Sequence, residues 1–209
     1  MNILIVDDHA IVRSGLKQIL DTIGNITVID EAGTGDEALK KARSEFYDII
    51  ILDITLPDMN GLEVLKQLNS EQPDSRILML SIHSEEQYAV RVLKAGASGF
   101  LTKASAPEEL IKAVKKISEN GIYISEALAG RLAKNLKSKT VNLPHESLSD
   151  REFQILLKIA QGKTIKEIAG ELFISDKTIS TYRSRLLLKM GMKSNSEITH
   201  YVNINGLLE

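Results

Sequence analysis

Over residues 1–120 the chain alternates short β-branched runs with longer stretches of helical period, and that alternation admits few folds. Runs of Ile, Val and Leu without polar alternation read as strands buried on both faces, and strands separated by helices pair in parallel. The pattern predicts strands over residues 2–6, 26–31, 48–52, 76–80 and 99–102, with helices over 10–22, 35–44, 61–69, 85–95 and 107–120. Pro107 suits the first turn of a helix, and Gly121 a stop just past its end. The expected fold is α/β, a doubly wound (βα)5 parallel sheet.

At 209 residues the chain exceeds such a unit. A partial apolar stripe at Ala127, Leu128, Leu132 and Leu136 predicts a linker helix over 125–136. Residues 137–146 lose periodicity and carry Pro144, and Arg131, Lys134, Lys137 and Lys139 meet no acid between 131 and 145, so the flexible boundary is expected there. After Leu148 the pattern is helical only. Ser149 stands at an N-cap with Glu152 three residues later, a capping-box spacing, ahead of apolar Phe153, Ile155, Leu156, Ile159 and Ala160. Gly162 ends that helix, and further helices are expected over 165–172, 176–190 and 196–203, with a short Phe173-Ile174-Ser175 turn between the first two of these. The domains are therefore 1–121, a linker over 122–146, and a smaller all-α helix-turn-helix domain over 147–209.

The net charge of −2 conceals a split, with nine Lys and Arg against seven acids from Ser147 onward and an acidic remainder. Such an asymmetry suggests two jobs. The absence of cysteine removes disulfides, thiolate zinc sites, iron–sulfur clusters and cysteine nucleophiles. The start reaches Asp7 and Asp8 after four apolar residues, too short for a signal peptide, and no apolar run approaches the ~18 residues of a membrane span. A cytoplasmic protein with no membrane contact is expected.

In a doubly wound sheet, functional residues gather outside the carboxyl ends of the strands where the strand order reverses. With the order 2-1-3-4-5, Asp7 and Asp8 after the first strand meet Asp53 after the third. Converging carboxylates repel and raise one another's pKa unless a cation neutralises them, and a hard divalent ion such as Mg²⁺ suits oxygen ligands. His9 beside the acids offers a carboxylate–histidine transition-metal alternative, against which Lys103 on the same rim weighs. Ser81 and Lys103 follow strands four and five. A cation, an ammonium, a hydroxyl and a carboxylate can together hold a phosphoryl group in transfer, with a carboxylate as nucleophile.

These residues resemble the receiver domain of bacterial response regulators: Asp7-Asp8, Asp53 within Leu52-Asp53-Ile54-Thr55-Leu56-Pro57-Asp58-Met59-Asn60-Gly61, Ser81, and Gly96-Ala97-Ser98-Gly99-Phe100-Leu101-Thr102-Lys103. The resemblance implies that Asp53 accepts phosphate from a sensor histidine kinase. It implies that Asp8, Asp53 and the backbone carbonyl of Thr55 bind Mg²⁺, with Asp7 supporting these ligands from behind. Lys103 would pair with the phosphoryl group, Ser81 would move to hydrogen-bond it, and Phe100 would reorient as the switch aromatic. Many receivers follow the lysine with proline; here it is Ala104.

Between Lys177 and Lys193 stand five basic residues and no acid, following the turn where a recognition helix belongs. Ile179, Tyr182, Leu186 and Met190 would pack inward. Residues 148–202 resemble the LuxR-type helix-turn-helix of the NarL/FixJ class. The resemblance is carried by Leu148-Ser149-Asp150-Arg151-Glu152, Gly162-Lys163-Thr164-Ile165-Lys166-Glu167-Ile168-Ala169, Ile174-Ser175-Asp176-Lys177-Thr178-Ile179 and Lys189-Met190-Gly191-Met192-Lys193-Ser194. Expected DNA contacts are Lys177, Thr178, Ser180, Thr181, Arg183, Ser184, Arg185 and Lys189, with the short hydroxyls near base edges and the long cations on phosphates. The family also pairs its last helix between two such domains, implying a homodimer, with RNA polymerase as a further partner.

The reading is a phosphorylation-controlled, non-enzymatic transcription regulator that binds double-stranded promoter DNA. Its rivals are a DNA-binding protein whose receiver serves only dimerisation, and a phosphatase of the haloacid dehalogenase type. The latter carries a second acid two residues past its nucleophile, where this chain has Thr55.

Overall fold

The structure, a computed structural model, describes residues 1–81, 85–119, 121–125, 129 and 143–208, with the backbone alone at 85–87. The chain splits into two compact units, Met1–Leu132 and Ala133–Glu209. The expected linker helix lies outside the described residues except at 125 and 129, as does the aperiodic stretch over 137–142.

In the first unit the elements run β1 (Asn2–Val6), α1 (Ala10–Leu20), β2 (Val28–Ala32), α2 (Gly35–Ser44), β3 (Ile49–Asp53), α3 (Gly61–Glu71), β4 (Arg76–Ser81), α4 (Glu85–Lys94), β5 (Gly99–Thr102) and α5 (Pro107–Ser118). The strands form one parallel sheet in the order β2-β1-β3-β4-β5. Side chains alternate between the two faces of a strand. Ile3, Ile5, Ile49, Ile51, Leu78, Leu80 and Leu101 accordingly share one buried face with Leu20 of α1 and Leu110, Val114 and Ile117 of α5. Their neighbours Leu4, Val6, Ile50, Leu52, Ile77, Met79 and Phe100 are buried too, on the opposite face. In β1, β3, β4 and β5 neither face meets water, which is why these strands lack polar alternation, whereas edge strand β2 is partly exposed and carries Asp30 and Glu31.

Some boundaries differ from the sequence pattern for reasons of pairing. β2 starts two residues late because its register with β1 begins at Asn2↔Val28. β3 and β4 each run further, since Asp53 pairs with Leu80 and Ser81 with Thr102. Both polar residues are thus the last residues of their strands rather than the first beyond them. Gly61, which opens α3, permits a close approach that no other residue could: a Cβ there would lie 2.1 Å from the carbonyl oxygen of Asp53.

In the second unit a 3₁₀ turn over Pro144–Ser147 precedes α6 (Asp150–Ala160), α7 (Ile165–Glu171), α8 (Asp176–Met190) and α9 (Asn195–Ile204). The turn corrects the expectation of an unstructured boundary through residue 146. Pro144 fixes φ for its first position, Ser147 Oγ donates to the Pro144 carbonyl at 2.7 Å, and His145 Nδ1 lies 2.7 Å from the Tyr201 hydroxyl. Both capping boxes are complete, Ser149 with Glu152 at α6 and Thr164 with Glu167 at α7. Phe153, Leu156, Ile168, Ile179, Leu186, Ile198 and Val202 fill the small core.

Glu152 does more than cap. Its side chain is 4 % exposed, and Oε2 accepts from Ser149 N at 2.8 Å and from Lys189 Nζ at 2.6 Å, joining the start of α6 to the end of α8. Burial alone would raise its pKa, but these donors outweigh burial and hold it below the usual carboxylate range. A carboxylate with a lowered folded pKa contributes stability that is complete above its unfolded value of 4.5 and lost as pH falls through the folded one. Glu152→Gln should therefore cost the second unit about 1–2 kcal/mol at neutral pH and flatten its loss of stability below about pH 4.5. Urea unfolding of the full chain across that range checks it, and an undiminished acid dependence in the variant would contradict the role given to Glu152.

Candidate functional site

β1 and β3 are neighbours at the centre of the sheet, so their carboxyl ends bring Asp7 and Asp53 to one rim, both almost completely buried. Lys103, one residue past β5, reaches across to both. Its Nζ lies 2.6 Å from Asp7 Oδ2 and 2.7 Å from Asp53 Oδ2. The loop that aims it closes without proline: Lys103 N donates to the Ser81 carbonyl at 2.7 Å and Ser105 N to the Thr102 carbonyl at 3.0 Å. Ala104 therefore leaves the placement of Lys103 intact.

Burial pushes the Asp53 carboxyl up to about 6. Lys103 pulls against that rise, Asp7 adds to it by repulsion, and the Thr55 backbone N–H opposes it. Burial would lower the Lys103 ammonium, yet its two carboxylate partners prevail and raise it. At neutral pH the rim thus holds an ionised Asp53 against a fixed positive charge, the state a nucleophilic carboxylate requires.

The metal ligands expected from sequence are only partly assembled. Asp7, Asp8 and His9 bring ligand atoms within 4.8 Å of one another, a group that does not include Asp53, which is drawn to Lys103. Two buried oxygens on this rim, Asp7 Oδ2 and Asp8 Oδ1, accept no hydrogen bond. Asp7 Oδ2 lies 2.6 Å from Lys103 Nζ and Asp8 Oδ1 lies 2.6 Å from His9 Nδ1, in both cases without hydrogen-bond geometry. Buried carboxylate oxygens with unused lone pairs are the donor set of a hard divalent cation, and Mg²⁺ fits them. Thr55 is fixed nearby by an antiparallel bridge to Asn60.

Ser81 and Phe100 are both buried, in β4 and β5. Three further residues support the site: Arg13, absent from its sequence reading, and Asp58 and Asn60, which stand in the quoted motif without an assigned role. Arg13 Nη1 donates to the Asp7 carbonyl at 2.7 Å while its Nε donates to Glu31 Oε2 at 2.8 Å, bracing the loop after β1. Asp58 accepts from the backbone N–H groups of Gly35 and Asp36, so the loop after β3 caps α2. Burial would raise Asp58, but donors from Asp36, Gly35, Asp58 and Met59 lower it. Asn60 caps α3 by accepting from Leu62 N at 2.8 Å. An Asp or Asn just ahead of a helix is a legible capping signal, whereas Asp58 reaches a helix that precedes it in the chain.

In the second unit α8 buries Ile179, Leu186 and Met190, as its stripe predicts, but Tyr182 is only half-buried. Tyr182 instead joins Ser175, Lys177, Thr178, Thr181 and Arg185 around a surface depression of about 340 Å³. Ser180, Thr181 and Ser184 are exposed, and each hydroxyl donates to the carbonyl four residues earlier. They therefore offer acceptor lone pairs outward. Lys177 and Arg185 are exposed. Arg183 is half-buried and donates Nε to Asn195 Oδ1 at 2.7 Å, tying α8 to α9. Lys189 donates Nζ to Glu152 Oε2 at 2.6 Å while its side chain stays 42 % exposed.

Comparison with known proteins agrees with both halves. Residues 3–115 match the response regulator receiver domain, and residues 146–202 match the bacterial regulatory proteins of the LuxR family. The chain is 35 % identical over 208 residues to response regulator UvrY of Escherichia coli K12, covering 99 % of this chain and 95 % of that one. It is 33 % identical over 210 residues to response regulator GacA of Pseudomonas aeruginosa, covering 100 % and 98 %. Among solved structures it resembles RcsB of Salmonella enterica serovar Typhimurium bound to promoter rprA in the presence of phosphomimetic BeF3⁻, with TM-score 0.66, 25 % identity and coverage of 97 % and 98 %. Two independent matches in the expected order, together with relatives aligned from end to end, place the chain among the response regulators of the NarL/FixJ class, two-component proteins that join a receiver to a LuxR-type DNA-binding domain.

Proposed function

We propose that Asp53 is the phosphoacceptor of this response regulator and that its phosphorylation controls DNA binding by α8. The observation that carries this reading is the Lys103 ammonium seated between Asp7 and Asp53 at 2.6 and 2.7 Å. An ionised Asp53 oxygen attacks the phosphorus of a phosphohistidine on a sensor kinase; the new P–O bond forms as the P–N bond breaks, and the imidazole leaves. Asp8, Asp53 and the Thr55 carbonyl, supported by Asp7, would hold Mg²⁺, which would supply positive charge to the phosphoryl oxygens. Lys103 transfers its pairing from the Asp53 carboxylate to the phosphoryl group, so positive charge is already in place when negative charge arrives.

The acyl phosphate is a new acceptor beside buried Ser81. A hydroxyl drawn toward it vacates space beside β5 and lets Phe100 move, which shifts the receiver between two packings. That shift releases or dimerises the helix-turn-helix. RcsB, bound to a promoter in the presence of a phosphomimetic, is a relative in which phosphoryl mimicry and DNA occur together, and another RcsB structure holds two dimers on two DNAs. On this chain Lys177 and Arg185 contact phosphates, while Thr178, Ser180, Thr181 and Ser184 face base edges. Kinase and promoter DNA are both met in the cytoplasm, where the chain acts as a homodimer.

The parent chain should acquire label from acetyl phosphate with Mg²⁺, and Asp53→Asn should acquire none; equal labelling of the variant would contradict the site. DNA affinity should fall steeply with salt, and Lys177→Ala or Arg185→Ala should each reduce the log–log slope by about one through lost counterion release. Titrations across a salt series measure this, and a slope unchanged by both substitutions would remove α8 from the interface.

A further inference from the structure

The turn leading into α8 holds an unusual residue. Phe173 has φ +53°, and among the described residues it is the one non-glycine with positive φ; Gly96, Gly162, Gly191 and Gly206 take the other such positions. A Cβ and a bulky ring are disfavoured in this region. Burial does not compensate, because Phe173 is 65 % exposed. Glycine or asparagine would close the turn without that cost. A ring that is both strained and wet points to a use outside the folded chain.

Its mount is firm. Ile174 N donates to the Ala169 carbonyl at 3.1 Å, Arg151 Nη2 to the Leu172 carbonyl at 3.2 Å, and Ser175 caps α8 by accepting from Thr178 N at 3.1 Å. Two residues beyond Phe173 begins the depression lined by Ser175, Lys177, Thr178, Thr181, Tyr182 and Arg185. A protein partner would call for a wider apolar patch around such an anchor. One ring set beside hydroxyls and cations instead suits nucleic acid, whose apolar features are small and bordered by phosphates.

We infer that Phe173 is a DNA-contacting residue. Its ring packs on the apolar surface of the duplex, thymine methyls or deoxyribose carbons, beside the bases that α8 faces. This rests on α8 being the DNA-reading helix, and it adds a contact that lies before that helix begins.

The test uses the full chain and a duplex that this chain enriches from a random-sequence pool. Phe173→Asn and Phe173→Gly should raise Tm, because strain is relieved, yet weaken binding about tenfold. The salt slope should stay at the parent value, since an apolar contact releases no counterion. Phe173→Tyr should bind nearly as the parent does. A duplex with uracil for thymine distinguishes the sources: weaker binding by the parent but not by Phe173→Asn assigns the methyls, and unchanged binding by both assigns the sugars. Parental affinity in both the Asn and Gly variants would overturn the inference, as would a loss accompanied by a shallower salt slope. If the parent enriches no duplex at all, the reading of α8 fails and this inference with it, an outcome distinct from variants that bind normally.

Discussion

Two buried carboxylates, Asp7 and Asp53, share a rim with one ammonium, and the geometry of the first unit serves that balance. Without Lys103 the carboxylates would repel at the end of a sheet that excludes water. With it, Asp53 remains ionised at neutral pH even though burial lifts it to about 6. The parallel sheet is what makes the arrangement attainable: β1 and β3 lie side by side, and β5 delivers the lysine from two strands beyond β3. Arg13 and Gly61 secure the flanking loops, one by bonding the Asp7 carbonyl and the other by leaving room for that of Asp53.

Much of this was legible in the sequence because burial on both faces leaves a coarse mark. Uninterrupted apolar runs such as Ile49-Ile50-Ile51-Leu52 identify central strands directly, and polar residues at their ends mark the rim. What escaped was set by partners remote in sequence. The ends of β3 and β4 are fixed by register with neighbouring strands, which moved Asp53 and Ser81 inside them. Lys189 carried every local sign of a surface cation on a basic helix, and only the fold reveals Glu152 opposite it, 37 residues away in sequence. Tyr182 fell at the right period for the core but lies at its margin, lining the depression it shares with Thr178 and Arg185.

The second unit divides its charged residues between two tasks. Glu152 with Lys189, and Glu171 with Lys158 and Lys163, join helices to one another, while Lys177 and Arg185 stay outward near the start of α8. The net positive charge of this half is small, so its direction matters more than its size. Phe173 extends the same logic to an apolar residue, holding a strained ring at the edge of the polar face.

The central claim is that chemistry at Asp53 governs what α8 does. It is tested most directly by footprinting promoter DNA with the full-length chain, with and without acetyl phosphate and Mg²⁺. Protection should appear at lower protein concentration with the phosphodonor, over paired half-sites as expected for a dimer. The same protection at the same concentration in both conditions would contradict the account and leave the receiver as a dimerisation module alone.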